Sequence, residues 1–350
     1  MGLGPVMLDI DGPTLTAEAR RSLTHPRTGG VILFTRNFEN VAQLSELTAE
    51  IHALRDPHLL IAVDHEGGRV QRFRDGFTRL PPAAALGRVY DRDRDQGLQL
   101  AERAGWLMAA ELRAVGVDFS FAPVLDLAHG LSGVIGDRAF HRQPAAVIAL
   151  AQAYVRGMRG AGMQAVGKHF PGHGGVREDS HLTLPVDARE FEEIEAHDLR
   201  PFAQLMDGTL AGIMPAHVQY SQVDPLPAGF SRFWLQTVLR ERLSFSGAIF
   251  SDDLSMAGAE HVGGYAARAE AALSAGCDML LVCNHPEGAA EMLEALETRE
   301  PDPVAQVRLA RMHGQGSAMG LSRLRSRPEW SAAVAVLSPL LTSSSAELNV

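Results

Sequence analysis

Eight short apolar runs, separated by longer segments in which apolar residues recur at a helical spacing, constrain the fold of this chain more than any other feature. The runs are apolar without alternation, which indicates strands buried on both faces and therefore a parallel sheet covered by helices. Asn40 is a plausible cap for one intervening helix, and Gly116 is a plausible end for another. The predicted strands are 6–11, 31–35, 59–64, 117–127, 164–169, 212–217, 248–252 and 279–284.

Eight strand–helix units in 350 residues predict an α/β fold, a TIM-type (β/α)8 barrel in a single domain spanning residues 1–341. A doubly wound open sheet is the alternative, but it usually has a glycine-rich nucleotide loop after its first strand, and residues 9–13 offer none. After Glu300 the pattern becomes irregular, and we expect helices there that pack outside the barrel. Residues 342–350 are predicted to form a disordered tail.

Composition narrows the class of protein. A net charge of -10 argues against binding to nucleic acid or to an anionic membrane, because such surfaces need clustered Lys and Arg. The two cysteines, Cys277 and Cys283, flank one apolar run and are expected to be buried thiols in a reducing compartment. No segment has the pattern of a signal peptide or approaches a membrane span, so a cytoplasmic location is expected.

Polar side chains end six of the eight predicted strands. Any one of them could be a helix cap or a solvated strand end. In a barrel, however, the carboxyl ends of the strands converge on one mouth, so that together these residues predict a site there. They are Asp64, Asp126, Lys168, His169, His217, Asp252, Asp253 and Asn284.

The loop after the fifth predicted strand has the most distinctive composition in the chain. It reads Gly-Lys-His-Phe-Pro-Gly-His-Gly-Gly over residues 167–175 and continues to Asp179, Ser180 and His181. Glycine and proline fix such a loop by backbone geometry rather than by burial, and loops of this kind often carry functional side chains. One lysine, three histidines and a carboxylate in it predict an enzyme acting on a small polar substrate.

This loop resembles the signature of glycoside hydrolase family 3, and three further segments carry the same resemblance. They are residues 62–72 (Ala-Val-Asp-His-Glu-Gly-Gly-Arg-Val-Gln-Arg), 134–140 (Val-Ile-Gly-Asp-Arg-Ala-Phe) and 250–256 (Phe-Ser-Asp-Asp-Leu-Ser-Met). The likeness runs in order from about residue 5 to about residue 290 and is nearest to the single-domain bacterial β-N-acetylglucosaminidases of peptidoglycan recycling. His65 departs from the family pattern, in which Gln is more frequent.

The resemblance implies a retaining hydrolase that removes terminal β-linked N-acetylglucosamine from muropeptide fragments, without a metal or another cofactor. It assigns Asp252 as the nucleophile, His181 as the acid/base and Asp179 as the residue that orients His181. The implied sugar-binding residues are Asp64, Arg72, Arg138, Lys168 and His169. His173, His217 and Asp253 are expected to support the site from behind it.

Several alternatives remain open from the residues. One is a metal-dependent hydrolase, whose metal-capable residues would be His169, His173, His181 and Asp252. The four-residue spacing of His169 and His173 puts both on one face only in a helix, which Pro171 and Gly172 disfavour. A phosphorylase is compatible with a histidine acid/base, because a histidine repels phosphate less than a glutamate does. A sugar-binding protein without turnover is the third alternative.

Two residues also have alternative roles. Arg72 could be a surface ion pair, and Phe170 could pack in the core. Residues 171–185 are expected to move during turnover, and the sequence gives no oligomeric state.

Overall fold

The central element is a sheet of eight parallel strands in a computed structural model that describes residues 2–180, 182–316 and 319–342. The strand order is β6-β3-β2-β1-β12-β11-β9-β7, so the two edge strands are β6 and β7. Two short pairs, β4–β5 and β8–β10, lie outside this sheet. The strands are β1 (Val6–Leu8), β2 (Thr28–Leu33), β3 (Leu60–Val63), β4 (His65–Gly67), β5 (Val70–Gln71), β6 (Phe119–Ser120), β7 (Val166–Phe170), β8 (Val186–Asp187), β9 (Gly212–Pro215), β10 (Gln219–Tyr220), β11 (Ala248–Asp253) and β12 (Met279–Val282).

Residues 122–125 close the sheet into a barrel. Val166 N donates to Ala122 O (2.9 Å), and Leu125 N donates to Lys168 O (2.7 Å). The predicted (β/α)8 barrel is therefore confirmed, and the doubly wound alternative is wrong. The predicted fourth strand, 117–127, is mostly wrong as a regular strand, since only Phe119–Ser120 is one. Pro123 explains this result, because it has no N–H to donate to a continuous ladder.

Aromatic rings fill the interior of the barrel. Phe119, Phe121 and Phe250 are fully buried, and their ring centroids lie 5.2 to 5.5 Å apart. Tilted and edge-to-face contacts at such distances are favourable for aromatic pairs. The centre is a packed core rather than a pore, so a substrate site is restricted to the ends of the barrel.

The outer layer consists of helices that follow the strands. The side chain of Asn40 accepts a hydrogen bond from Gln43 N at the start of α2, as predicted. Gly116, with φ of 86°, follows the end of α4, also as predicted. The α-helices are α1 (Ala17–Thr24), α2 (Val41–His52), α3 (Ala83–Arg92), α4 (Arg94–Ala114), α5 (Pro144–Gly160), α6 (Phe191–Ala196), α7 (Leu199–Leu205), α8 (Tyr265–Ala275), α9 (Pro286–Ala295), α10 (Pro303–Ala310), α11 (Leu321–Arg325), α12 (Pro328–Leu337) and α13 (Pro339–Thr342).

The described part of the chain contains five further helical segments. Four are 3-10 helices, at Thr35–Asn37, Gly136–Arg138, Ala228–Phe230 and Ala257–Val262, and Phe233–Arg242 is a π-helix. No helix within the described ranges is both long enough and apolar enough to cross a membrane.

The last helices pack on the outside of α4, as expected. Trp330 Nε1 on α12 donates to Glu111 Oε1 on α4 at 2.8 Å. Leu321 and Leu324 of α11 form a small apolar cluster with Ala110 and Ala114 of α4. Of the predicted tail, Thr342 ends α13, and residues 343–350 lie outside the described residues.

Candidate active site

A cavity of about 600 Å³ opens at the carboxyl ends of the barrel strands. Most of the residues that the sequence singled out line it, although they come from five different segments of the chain. Asp126 and His217 do not line it, and His181 lies outside the described residues. The predicted residues that line the cavity are Asp64, Arg72, Arg138, Lys168, His169, His173, Asp179, Asp252, Asp253 and Asn284.

One wall of the cavity is a network of four charged side chains. Lys168 Nζ donates to Asp64 Oδ1 and to Glu66 Oε1, each at 2.7 Å. Glu66 also accepts two hydrogen bonds of 2.8 Å from Arg138, one from Nε and one from Nη2. A planar guanidinium held by two such bonds cannot rotate freely, so this wall is rigid.

Burial and mutual attraction set the charges of this network. Burial acts to raise the pKa of Glu66, but the charges of Arg138 and Lys168 outweigh it and hold that pKa below its usual range. Burial acts to lower the pKa of Lys168, and the carboxylates of Asp64 and Glu66 more than compensate and raise it. Glu66 therefore stays ionised and Lys168 stays protonated at neutral pH.

Glu66 is the main site residue that sequence reasoning did not single out. It lies on β4, which forms an antiparallel hairpin with β5 through Gly67 and Gly68, whose φ angles of 105° and 56° favour glycine. The sequence feature that could have identified Glu66 is its spacing from Asp64, which precedes it by two residues. Side chains two residues apart on extended backbone point the same way.

His169 is held by Asp126 in one orientation. Asp126 Oδ2 lies 2.7 Å from His169 Nδ1, while Asp126 Oδ1 accepts from the backbone N–H groups of His169 (3.2 Å) and His173 (2.7 Å). Burial acts to raise the pKa of Asp126, but the adjacent histidines and these hydrogen bonds lower it. Asp126 is therefore an acceptor, so that Nδ1 of His169 carries the proton and Nε2 faces Arg138 Nη2 at 3.5 Å.

Asp252 lies near the end of β11 on the opposite side of the mouth. The backbone N–H of Asp253 donates to Asp252 Oδ1 at 2.8 Å, which positions one oxygen of the Asp252 carboxylate. The carboxylate of Asp253 accepts from Ser255 N (2.9 Å), Ser255 Oγ (2.7 Å) and Cys283 N (3.0 Å). Burial nevertheless raises the pKa of Asp253 to about 6.

The loop between β7 and β8 brings Asp179 and Ser180 to the cavity. His173 Nε2 lies 3.2 Å from Ser180 Oγ, and the Tyr220 hydroxyl donates to Gly172 O at 2.8 Å. A Cβ atom on Gly174 would lie 2.1 Å from Leu127 O, so only glycine fits this approach. Burial, with the nearby charge of His169, lowers the pKa of His173 and favours its neutral form.

The structure also locates the residues for which the sequence left two interpretations. Arg72 lines the cavity, with Nη2 at 3.8 Å from Asp64 Oδ2. Phe170 is fully buried against Phe202 and Trp234, so it packs in the core. His65 is buried as well, and its backbone N–H donates to Ser120 Oγ at 3.0 Å.

His217 lies behind the cavity, as expected of a supporting residue. Its side chain is fully buried, with Nε2 at 3.0 Å from Asp253 O, and burial lowers its pKa.

Residues 166–170 are a strand and residue 171 begins a turn, so His169 and His173 do not share a helical face. The site as a whole combines fixed carboxylates with fixed cationic donors, which suits a polyhydroxylated ligand.

Comparison with known proteins shows the family of this chain. The model of the glycosyl hydrolase family 3 N terminal domain matches residues 6–312. A β-hexosaminidase of Thioalkalivibrio sulfidiphilus is 66% identical over 350 residues, which is 100% of both chains. A β-hexosaminidase of Methylococcus capsulatus is 61% identical over 94% of this chain and 97% of its own. The crystal structure of NagZ from Neisseria gonorrhoeae with N-trifluoroacetyl-D-glucosamine superposes with a TM-score of 0.92, at 47% identity, over 97% of this chain and 98% of that one.

Proposed function

The chain belongs to glycosyl hydrolase family 3 and is a β-hexosaminidase, and on this premise we propose that it removes terminal β-linked N-acetylglucosamine from muropeptide fragments with retention of configuration. The observation that carries the proposal is that one cavity is lined both by Asp252 and by the network of Asp64, Lys168 and Arg138. A nucleophilic carboxylate facing fixed hydrogen-bonding groups is the arrangement that a glycosidase of one sugar unit requires.

In the first step the Asp252 carboxylate attacks the anomeric carbon while the glycosidic C–O bond breaks. The protonated His181 imidazole gives its proton to the departing oxygen, and a covalent glycosyl–enzyme ester forms. Asp179, two residues before His181, would orient the ring and favour its protonated form. Both Asp179 and Asp252 line the cavity, whereas His181 lies outside the described residues.

In the second step His181 acts as a base. It takes a proton from water, the water oxygen bonds to the anomeric carbon, and the ester bond to Asp252 breaks. Two inversions give net retention. We propose that the 171–185 loop moves between the two steps. In the first step the loop brings the acid/base to the leaving group, and before the second step its movement admits water.

Sugar recognition is assigned to the opposite wall. Asp64 would accept hydrogen bonds from two sugar hydroxyls, and Lys168 and Arg138 would donate to other hydroxyls or to the N-acetyl oxygen. Arg72 and His169 complete the set that we propose contacts the sugar. His173 and Asp253, which line the cavity, and His217, which lies behind it, would hold these groups in place.

The N-acetylglucosamine specificity is supported by the sugar derivative bound in the gonococcal structure. A role in peptidoglycan recycling and a cytoplasmic location remain predictions that go with this substrate. The proposed chemistry uses no metal and no other cofactor.

The deciding experiment is release of nitrophenol from 4-nitrophenyl N-acetyl-β-glucosaminide by chelator-treated protein, beside the matched β-glucoside. We expect release from the N-acetyl sugar alone, and the first-formed sugar should have the β configuration by NMR. A muropeptide disaccharide should be cleaved under the same conditions.

Other outcomes would reject parts of the proposal. An α-configured first product would exclude retention, and activity that depends on an added divalent metal would favour a metal-dependent hydrolase. A sugar 1-phosphate formed in inorganic phosphate buffer, faster than free sugar, would make the protein a phosphorylase.

A further inference from the structure

A cluster of histidines lies at the amino ends of the barrel strands, on the side opposite the mouth. His52 is the last residue of α2, His58 precedes β3, and Asp118 immediately precedes β6. Each of these three residues offers one ligand atom, and the three atoms lie within 4.8 Å of one another. His313, which follows α10, packs against His58 with the two rings tilted and their centroids 4.2 Å apart.

The spacing within this cluster fits a tetrahedral metal ion. Zinc binds nitrogen and oxygen ligands at about 2.0–2.2 Å, so two ligands at a tetrahedral angle lie roughly 3.4 Å apart. His52 Nε2 lies 3.4 Å from Asp118 Oδ2. The ring centroid of His58 is 4.5 Å from that of His52, and its ligand atom lies within 4.8 Å of the other two, so His58 is the third ligand.

A fourth ligand is close at hand. His313 Nδ1 lies 4.0 Å from Asp118 Oδ2, and it is a buried nitrogen that has no hydrogen-bond partner in the described structure. A buried polar atom left without a partner is costly and therefore needs an explanation. Coordination of a metal would supply one.

Hydrogen bonds orient the carboxylate of this cluster. Asp118 Oδ1 accepts from Gly314 N (2.9 Å) and Arg113 Nη1 (3.3 Å), and Asp118 Oδ2 faces His52 while it accepts from Ile61 N (2.9 Å).

We propose that His52, His58 and Asp118, with His313 as the fourth ligand, bind one divalent transition-metal ion of the Zn²⁺ class. Three imidazoles and one carboxylate suit zinc, copper or nickel rather than magnesium or calcium, which prefer oxygen ligands. The metal ion would take the place of the hydrogen bond between His52 and Asp118, and the proton of that bond would go to solvent. Because the site is at the far end of the barrel, its role is structural: it ties α2, the chain before β3, the start of β6 and the turn after α10 together.

The test is a calorimetric titration of the chelator-treated full chain with Zn²⁺ alone. We expect one equivalent to bind to the wild-type protein and to raise its melting temperature. His58→Ala and His52→Gln should each weaken binding by at least tenfold and lose the rise in melting temperature, with hydrolytic activity unchanged. His197→Ala, which removes an exposed histidine, is the matched control and should bind like the wild type.

The variant His169→Ala distinguishes a metal ion bound at the mouth of the barrel from one bound at this site. If that variant alone loses the bound equivalent, or if the His52 and His58 variants bind Zn²⁺ like the wild type, the proposal is wrong. Should His58→Ala fail to fold by circular dichroism, His52→Gln and the visible absorption of tetrahedral Co²⁺ on the wild-type chain decide the question.

Discussion

Glu66 and Arg138 form a bidentate ion pair, with both hydrogen bonds at 2.8 Å and both side chains almost fully buried. Lys168 donates to the same carboxylate, so one side chain that sequence reasoning did not single out positions two proposed sugar-binding cations. Removing one member of such a buried group leaves the partner charges without compensation. The wall of the site should therefore depend on Glu66 although we assign it no contact with the sugar.

Glu66→Gln keeps the shape of the side chain and removes its charge. We expect KM to rise strongly while kcat changes less, because Arg138 and Lys168 lose their common anchor. The free energy of unfolding should fall by about 3–5 kcal/mol, the cost of breaking a buried ion pair. Kinetics on 4-nitrophenyl N-acetyl-β-glucosaminide and urea denaturation measure the two effects.

The matched control for that change is Glu102→Gln, since Glu102 pairs with Arg156 at 3.1 Å on the surface. Exposed pairs contribute only about 0–1 kcal/mol, so neither KM nor stability should change much. Equal effects in the two variants would mean that the buried network has no special role.

Asp126→Asn should reverse the tautomer of His169. The amide oxygen can still accept from the two backbone N–H groups, but the amide nitrogen then faces His169 Nδ1 as a donor. The ring proton must move to Nε2, where two N–H donors, that of His169 Nε2 and that of Arg138 Nη2, would then face each other. Nitrogen NMR of the imidazole should show the change of tautomer. The affinity for the sugar should fall, and the free energy of unfolding should decrease by about 1.5–3 kcal/mol.

An exposed pair again provides the control. Asp91→Asn removes the partner of His141, whose Nε2 lies 3.1 Å from it, and this should leave sugar affinity unaltered. An unchanged His169 tautomer in Asp126→Asn would refute the orienting role that we give to Asp126.

Asp253 should make the protein less stable as pH rises. Its pKa is raised from 3.8 to about 6 in the folded state, so the folded chain keeps a proton that the unfolded chain has lost. The free energy of unfolding therefore decreases between about pH 4 and pH 6, by roughly 3 kcal/mol from this group. Asp253→Asn keeps the side-chain shape and should flatten this part of the profile. Denaturation curves at both ends of the range test it, and an unaltered slope would contradict the assignment.

The sequence predicted the barrel and most of the site for physical reasons that can be named. Continuous apolar runs indicate buried parallel strands, and active-site residues of such a barrel lie at the carboxyl ends of its strands, so Asp64, Lys168 and Asp252 could be grouped in advance. The irregular strand around Pro123 was not foreseen, because barrel closure depends on long-range hydrogen bonds. Glu66 was not singled out because its role arises from a hairpin that folds back toward Lys168.

Asp252→Asn should abolish turnover and leave sugar binding intact. An amide is a very poor nucleophile, so kcat should fall on the order of 10⁴-fold or more. The backbone N–H of Asp253 can still donate to the amide oxygen, so the site should keep its shape. Calorimetric titration with N-acetylglucosamine tests whether sugar binding stays intact. Asp207→Asn, at an exposed position, is the control. Substantial residual activity would remove Asp252 as the nucleophile.

His181→Ala should affect substrates according to their leaving groups. A disaccharide needs a proton on the departing oxygen, so kcat/KM should fall about 10²–10⁴-fold, whereas nitrophenolate leaves without much help and its release should fall far less. Asp179→Asn should show the same pattern with smaller losses, because it removes only the partner that favours the protonated ring. A series of aryl glycosides with different leaving-group pKa values measures this dependence. If His181→Ala slowed every member equally, the histidine would position the substrate rather than protonate it.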